Sequence, residues 1–319
     1  MVAALGGCSS AGEQEQWLKE DPKTVTLFVF DTVVSLKAYC SQELMDQAAE
    51  RCEYFEQHFS RTVEGSDVWN INHAAGAPVE VAQETAELIS KSLEYCKKSD
   101  GLLDITIGAV STLWDFVEGV KPEDSAIKAA LPHIDYTGVK VEGTTVTLAD
   151  PEAKIDLGGT AKGYIADDLK RLFTEGGCSS GIINLGGNAL VFGGKPDGSE
   201  WTVGIQDPNG AAEEVIASIK GTDLSAVTSG LYERQFVQDG VTYYHILDPK
   251  TGYPVETDLV STSVVSEQSL DGDAYATIMF LKGRSAALEL LEGTEGLEGL
   301  VVGSDGSIET TSGANFTLL

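Results

Sequence analysis

The sequence predicts an α+β fold: two lobes of mixed, mostly antiparallel sheets with packed helices and no clean linker. Three observations carry this. In several longer segments apolar residues recur every three to four positions, the period of a helix with one buried face. Mixed with them are many short runs rich in Val, Ile, Thr and aromatic residues, the composition of strands. The chain is 319 residues long, 42% hydrophobic and 22% charged, which supports a sizeable core and roughly two domains or one large one.

Taken in order, residues 1–22 read as a leader and tether, and 23–319 as the folded domain. Leu5-Gly-Gly-Cys8 resembles the end of a lipoprotein signal, with small residues before a thiol that would carry the lipid. A polar tether occupies residues 9–22. Thr24–Tyr39 reads as one long strand or half of a hairpin. Ser41 caps a helix whose apolar positions are Leu44, Ala48, Cys52, Phe55 and Phe59. A second helix, Val81–Cys96, buries Leu88, Ile89 and Leu93 and stops at Gly101. Residues 102–150 hold an apolar stretch, a short helix near Asp124–Ala130 and two short strands. From Ile155 the pattern is strand, Gly-rich turn, helix Ala161–Phe173, then strand Gly181–Asn184. Short strands follow between Trp201 and Ser266. Helices begin near Asp271 and Arg284, and two strands close the chain.

Composition excludes several functions. With 21 Lys and Arg against 50 Asp and Glu, the net charge is −29, so nucleic acid is not an expected partner. The same charge opposes adsorption to anionic lipid, and contact with a membrane is expected only through an anchor on Cys8. No Gly-x-Ser-x-Gly elbow or His-Glu-x-x-His pair is present. Cys40, Cys52, Cys96 and Cys178 show no zinc spacing; Cys52 and Cys96 read as buried thiols, and a disulfide stays open.

Three segments can carry chemistry. Asp156-Leu-Gly-Gly-Thr-Ala-Lys162 runs from a strand through a glycine turn into a helix. That leaves backbone groups for a phosphate or a metal, and Lys162 as a point charge. Asp273 and Thr277 lie four apart on one helix face, a carboxylate and a hydroxyl suited to a hard cation such as Mg²⁺. The bland alternative is a capping Asp with a Thr packed one turn on. His245 closes a strand before the turn Asp248-Pro-Lys-Thr-Gly252, where a neutral imidazole could serve as a general base or be merely structural. Thr228-Ser-Gly230 with Glu233-Arg234, Asn184-Leu-Gly-Gly187 and Phe59-Ser-Arg61 form further polar clusters.

In order along the chain, these segments resemble the FAD:protein FMN transferases, the ApbE-type flavin transferases. The resemblance spans about Thr26 to Gly283. It includes Phe30-Asp-Thr32, Phe59-Ser-Arg61, Asp104-Ile-Thr-Ile-Gly-Ala-Val-Ser111, Asp156-Leu-Gly-Gly-Thr-Ala-Lys162, His245-Ile-Leu-Asp-Pro249 and Asp273-Ala-Tyr-Ala-Thr277. Departures are Phe30-Asp31 where Met-Gly is common, Thr62 where an aromatic is common, and Asp115 where Gly is common. The resemblance implies that FAD is split at its pyrophosphate, FMN passes to a Thr or Ser hydroxyl of an exported acceptor protein, and AMP leaves. It implies Mg²⁺ held by Asp273, Thr277 and the backbone carbonyls of Gly159 and Ala276. It assigns FAD contacts to Phe30, Thr62, Ala109, Val110, Ser111, Asp156, Lys162 and Leu247, catalysis to His245 and Asp273, and a location outside the cytoplasm with a lipid anchor. An unperturbed His245 would titrate near pH 6.5. Two alternatives are an FAD pyrophosphatase yielding FMN and AMP, and a non-catalytic FAD-binding lipoprotein.

Overall fold

A computed structural model describes residues 17–211 and 214–319. Cys8 and tether residues 9–16 lie outside the described residues.

The chain enters through a hairpin, β1 (Lys23–Val29) and β2 (Thr32–Ala38), paired Lys23↔Ala38 through Val29↔Thr32. Expected as one strand or half of a hairpin, this segment is both halves. Its two-residue turn is Phe30-Asp31, and both residues have positive φ, 57° and 55°. That is the geometry of a tight hairpin turn, normally left to Gly and Asn, which is why the sequence did not announce it.

Helix α1 (Gln42–Phe59) follows; the Ser41 hydroxyl accepts the Leu44 N–H at 3.2 Å, the expected cap. A short helix not anticipated, α2 (Asp67–His73), is capped the same way by Ser66. Helix α3 (Gln83–Lys98) starts two residues after Val81 and ends before Gly101, whose φ of 73° lets its N–H reach the Cys96 carbonyl at 2.8 Å. Next come α4 (Gly108–Ser111) and α5 (Asp124–Ala130). A small sheet joins β3 (Val79–Glu80), β5 (Thr145–Leu148) and β4 (Val139–Glu142) in that order. The strand expected at Ile155 is only a single bridge, Ile107↔Lys154. Helix α6 (Ala161–Glu175) follows the glycine turn.

The main sheet has eight antiparallel strands in the order β1-β2-β6-β7-β10-β13-β14-β15. Its later members are β6 (Gly181–Leu185), β7 (Asn188–Phe192), β10 (Leu224–Gly230), β13 (Leu259–Ser266), β14 (Glu298–Gly303) and β15 (Ile308–Thr310). One face is buried under α1, α6 and α7 (Ser269–Lys282) in a core that includes Leu36, Phe55, Ile165, Leu169 and Phe280. The other face is covered by β8 (Trp201–Gln206) and β9 (Val215–Gly221), through Trp201, Val203, Ile205 and Ile219. The chain ends with α8 (Arg284–Glu292) and three strands rather than two, the last being β16 (Thr317–Leu318) on β9. A hairpin of β11 (Gln235–Gln238) and β12 (Val241–Tyr244) packs on a third cluster around Trp114. The mixture of helices with almost wholly antiparallel strands is the α+β class expected. Cys40, Cys52, Cys96 and Cys178 are buried free thiols. Among the described residues no helix is long and apolar enough to cross a membrane.

Candidate active site

A cavity of about 970 Å³ collects most of the residues singled out above. The helices α6 and α7 form its floor. They cross so closely that a Cβ on Gly163 would stand 2.4 Å from the Ser269 carbonyl oxygen. This contact decides where the polar groups fall. The Gly163 N–H donates to Asp273 Oδ2 at 2.9 Å, and Lys162 Nζ stands 3.4 Å from Asp273 Oδ1. Because α7 starts at Ser269 rather than Asp271, Asp273 sits inside the helix, 2% exposed, and not at its cap. Thr277 lines the cavity one turn on. Gly159 faces it: a Cβ there would be 3.5 Å from Thr277 Oγ1.

Asp156 folds the glycine turn. Its Oδ1 accepts the Gly158 N–H at 2.9 Å, and its Oδ2 accepts the Ser111 hydroxyl at 2.8 Å and faces Arg61 Nε at 3.1 Å. Phe30, Thr62 and Leu247 also line the cavity. Three expected residues are placed differently. Ala109 and Val110 do not line it; Val110 is fully buried beside Trp114, Ile127 and Leu247, so it backs the wall rather than forming it. The Ala276 carbonyl accepts the Thr262 hydroxyl at 3.0 Å, between α7 and β13, and Ala276 is not among the residues that line the cavity.

His245 follows β12, its N–H donating to the Arg234 carbonyl at 3.2 Å. Its Nδ1 is buried without a hydrogen-bond partner. Burial, with the Arg234 and Lys162 charges added, lowers its pKa to about 4. The ring is therefore neutral well below the pH 6.5 expected of an unperturbed imidazole. Lys162 goes the other way. Burial opposes its charge, but Asp273 and Glu233 outweigh that, and its pKa is raised.

Sequence reading did not place Arg61, Glu233 or Arg234 in the site, although all three lay in the polar clusters noted. Arg234 Nη2 donates to the carbonyl of Asp31 at 3.2 Å and faces that of Phe30 at 3.4 Å. It thereby ties the strained turn to the His245 wall. Neighbouring cavity-lining groups desolvate the Glu233 carboxyl and raise its pKa although the residue keeps exposed surface, with Asp273 adding to the rise and Lys162 and Arg234 opposing it.

Among the described residues no group of three or more His, Cys, Asp or Glu could by itself cage a metal. One carboxylate, one hydroxyl and one carbonyl instead make a partial set. Mg²⁺ commonly uses such a set, leaving the remaining positions to water and phosphate oxygens. The residues present fit that ion. The lining cations are Arg61, Lys162 and Arg234, against the carboxylates of Asp31, Glu56, Asp104, Asp115, Asp156, Glu233 and Asp273. A diphosphate entering this field needs added positive charge.

Comparison with known proteins finds similar chains. The FAD:protein FMN transferase of Treponema pallidum is 31% identical over 98% of this chain and 91% of its own length. That of Klebsiella pneumoniae is 34% identical over 84% of this chain and 85% of its own. The crystal structure of the ApbE protein from Thermotoga maritima superposes with a TM-score of 0.84 at 31% identity, covering 92% of this chain and 97% of that one. The model of the ApbE family matches residues 30–301, and the chain belongs to that family.

Proposed function

We propose that this protein is an FAD:protein FMN transferase that uses Mg²⁺ and passes FMN to a Thr or Ser hydroxyl of an acceptor protein. The observation that carries the reading is the convergence of Asp273, Thr277, Gly159 and Lys162 on one wall of a dinucleotide-sized cavity, with a neutral His245 also lining it. The acceptor oxygen forms a bond to the FMN phosphorus as the bond from that phosphorus to the bridging oxygen breaks. The products are a phosphoester on the acceptor and AMP. The acceptor proton goes to the His245 imidazole, whose Nδ1 has no protein partner. Lys162 holds a phosphate oxygen as a point charge. Asp273, Thr277 and the Gly159 carbonyl would hold Mg²⁺, which supplies charge neutralisation across the diphosphate. Asp156 keeps the glycine turn and Arg61 in place.

The acceptor is an exported protein, and the enzyme works outside the cytoplasm, anchored by lipid on Cys8; Leu5-Gly-Gly-Cys8 supports this. Mass analysis of the protein from its host membrane tests the anchor. The reaction is tested by incubation with FAD, Mg²⁺ and a Thr-bearing acceptor. Covalent flavin fluorescence on the acceptor, abolished by EDTA, is expected. Free FMN and AMP without labelling would make the protein a pyrophosphatase, and unchanged FAD would make it a binding protein.

A further inference from the structure

A protein acceptor must bring its hydroxyl to the cavity, so the rim carries information that the floor does not. Nine large hydrophobic side chains are exposed among the described residues, and six of them belong to segments flanking the cavity. Phe28 (76% exposed) and Val33 (56%) are direct partners across β1 and β2. They adjoin Phe30, Asp31 and Thr32, which line the cavity, but are not part of its lining themselves. Val117 and Val120 follow Trp114 in the chain, and Val237 and Val241 lie on the two strands of the β11–β12 hairpin. Val117 lines the cavity, and Phe236 of the β11–β12 hairpin packs against Trp114 and Phe116.

Among the described residues strand β1 is also the outermost strand of the main sheet. Its inner face, Val25, Leu27 and Val29, is packed on the core, while Thr24, Thr26 and Phe28 face outward. An edge strand presents unpaired N–H and C=O groups, and natural proteins usually protect such an edge with charge, proline or a covering segment. Here an exposed Phe beside an exposed Val marks the end of that edge nearest the cavity. The outward row continues across β2 and β6, from Thr26 to Ser35 to Asn184, and Asn184 lines the cavity.

Resting on the transferase reading above, we propose that the β1 edge with the Phe28–Val33 pair is the docking surface for the flavin-accepting protein. An extended segment of that protein adds beside β1 and seats an apolar side chain on the pair. Its Thr or Ser is thereby carried past the Phe30-Asp31 turn into the cavity. The occupant is an acceptor segment rather than a second copy of this chain because the patch abuts the opening through which a protein substrate must pass. Main-chain pairing supplies affinity, and the Phe28–Val33 patch favours an apolar residue at one fixed distance from the target hydroxyl.

The test uses the full-length enzyme and, as probe, unflavinylated acceptor protein from a host strain lacking this transferase. The probe is recognised because wild-type enzyme with FAD and Mg²⁺ makes it covalently fluorescent. In the double variant Phe28→Ser/Val33→Ser, KM for the acceptor should rise about tenfold or more, with kcat at saturating acceptor and FAD affinity unchanged. Leu318→Ser, an exposed apolar change on β16, should leave KM as it is. An unchanged KM in the double variant overturns the proposal. So does a weakened FAD affinity, which would place the pair in the nucleotide site. So does a wild-type dimer that the variant dissociates without altering KM, which would assign the edge to self-association. Absence of labelling by wild-type enzyme would instead defeat the transferase reading itself.

Discussion

His245 shows how far a single side chain is moved by its surroundings. Its pKa of about 4 lies below the 6.5 of the unfolded chain, so between those values the unfolded state binds a proton that the folded ring refuses. Stability from this residue is complete above pH 6.5 and is lost as pH falls toward 4, up to about 3 kcal/mol. Urea unfolding of wild type and His245→Gln at pH 7, 5.5 and 4.5 checks it: the wild-type excess should shrink as pH falls. The same shift keeps the base form available at mildly acidic pH, so the acid limb of kcat/KM should not lie at 6.5. Asp273 is tested differently. Asp273→Ala removes the carboxylate that faces Lys162 and accepts the Gly163 N–H. Loss of kcat/KM on the order of 100-fold is expected, read together with a melting curve, because an unpaired buried N–H costs about 1–3 kcal/mol. Near-normal turnover at limiting Mg²⁺ would refute the assignment.

Between elements, the contact of α6 with α7 sets the geometry of the site. Gly163→Ala would drive a Cβ into backbone, 2.4 Å from the Ser269 oxygen and 2.6 Å from the Leu270 Cα, with no flexible side chain to yield. The helices must part. A stability loss of roughly 1–3 kcal/mol or more is expected in urea unfolding, with a higher Mg²⁺ requirement because Asp273 loses its N–H partner. Elements of this kind differ in how legible they are. The amphipathic helices with serine caps show themselves in sequence, because period and cap are local. The β1–β2 turn does not, since Phe-Asp adopts positive φ only with outside support. Glu56 accepts the Phe30 N–H at 2.6 Å, and Arg234 reaches both turn carbonyls. Asp273, Thr277, Gly159 and Lys162 were legible because helical spacing and a glycine turn place them. Arg61, Glu233 and Arg234 were not, because their place depends on contacts across tens to hundreds of positions. Ala109, Val110 and Ala276 fall outside the cavity for a related reason. A motif names a segment, and packing decides which of its residues face inward.

At the scale of the molecule, the eight-stranded sheet is the shared wall of two cores, one under the helices and one under β8 and β9. Phe55, Met45 and Leu36 on one side and Ala217 and Leu300 on the other are almost wholly enclosed. With a common wall, neither core is expected to open alone. The cysteines make this measurable. Cys52 and Cys96 are fully buried within the helical core, and burial pushes both thiols up to about 12, so essentially no thiolate is offered to a reagent at neutral pH. In excess iodoacetamide, both should be consumed at one common rate matching that of global unfolding, while a faster rate at either would betray local opening. Two inert sulfurs, placed on neighbouring helices for reasons of packing alone, thus act as a built-in clock: an alkylating bath counts how often the whole molecule comes apart.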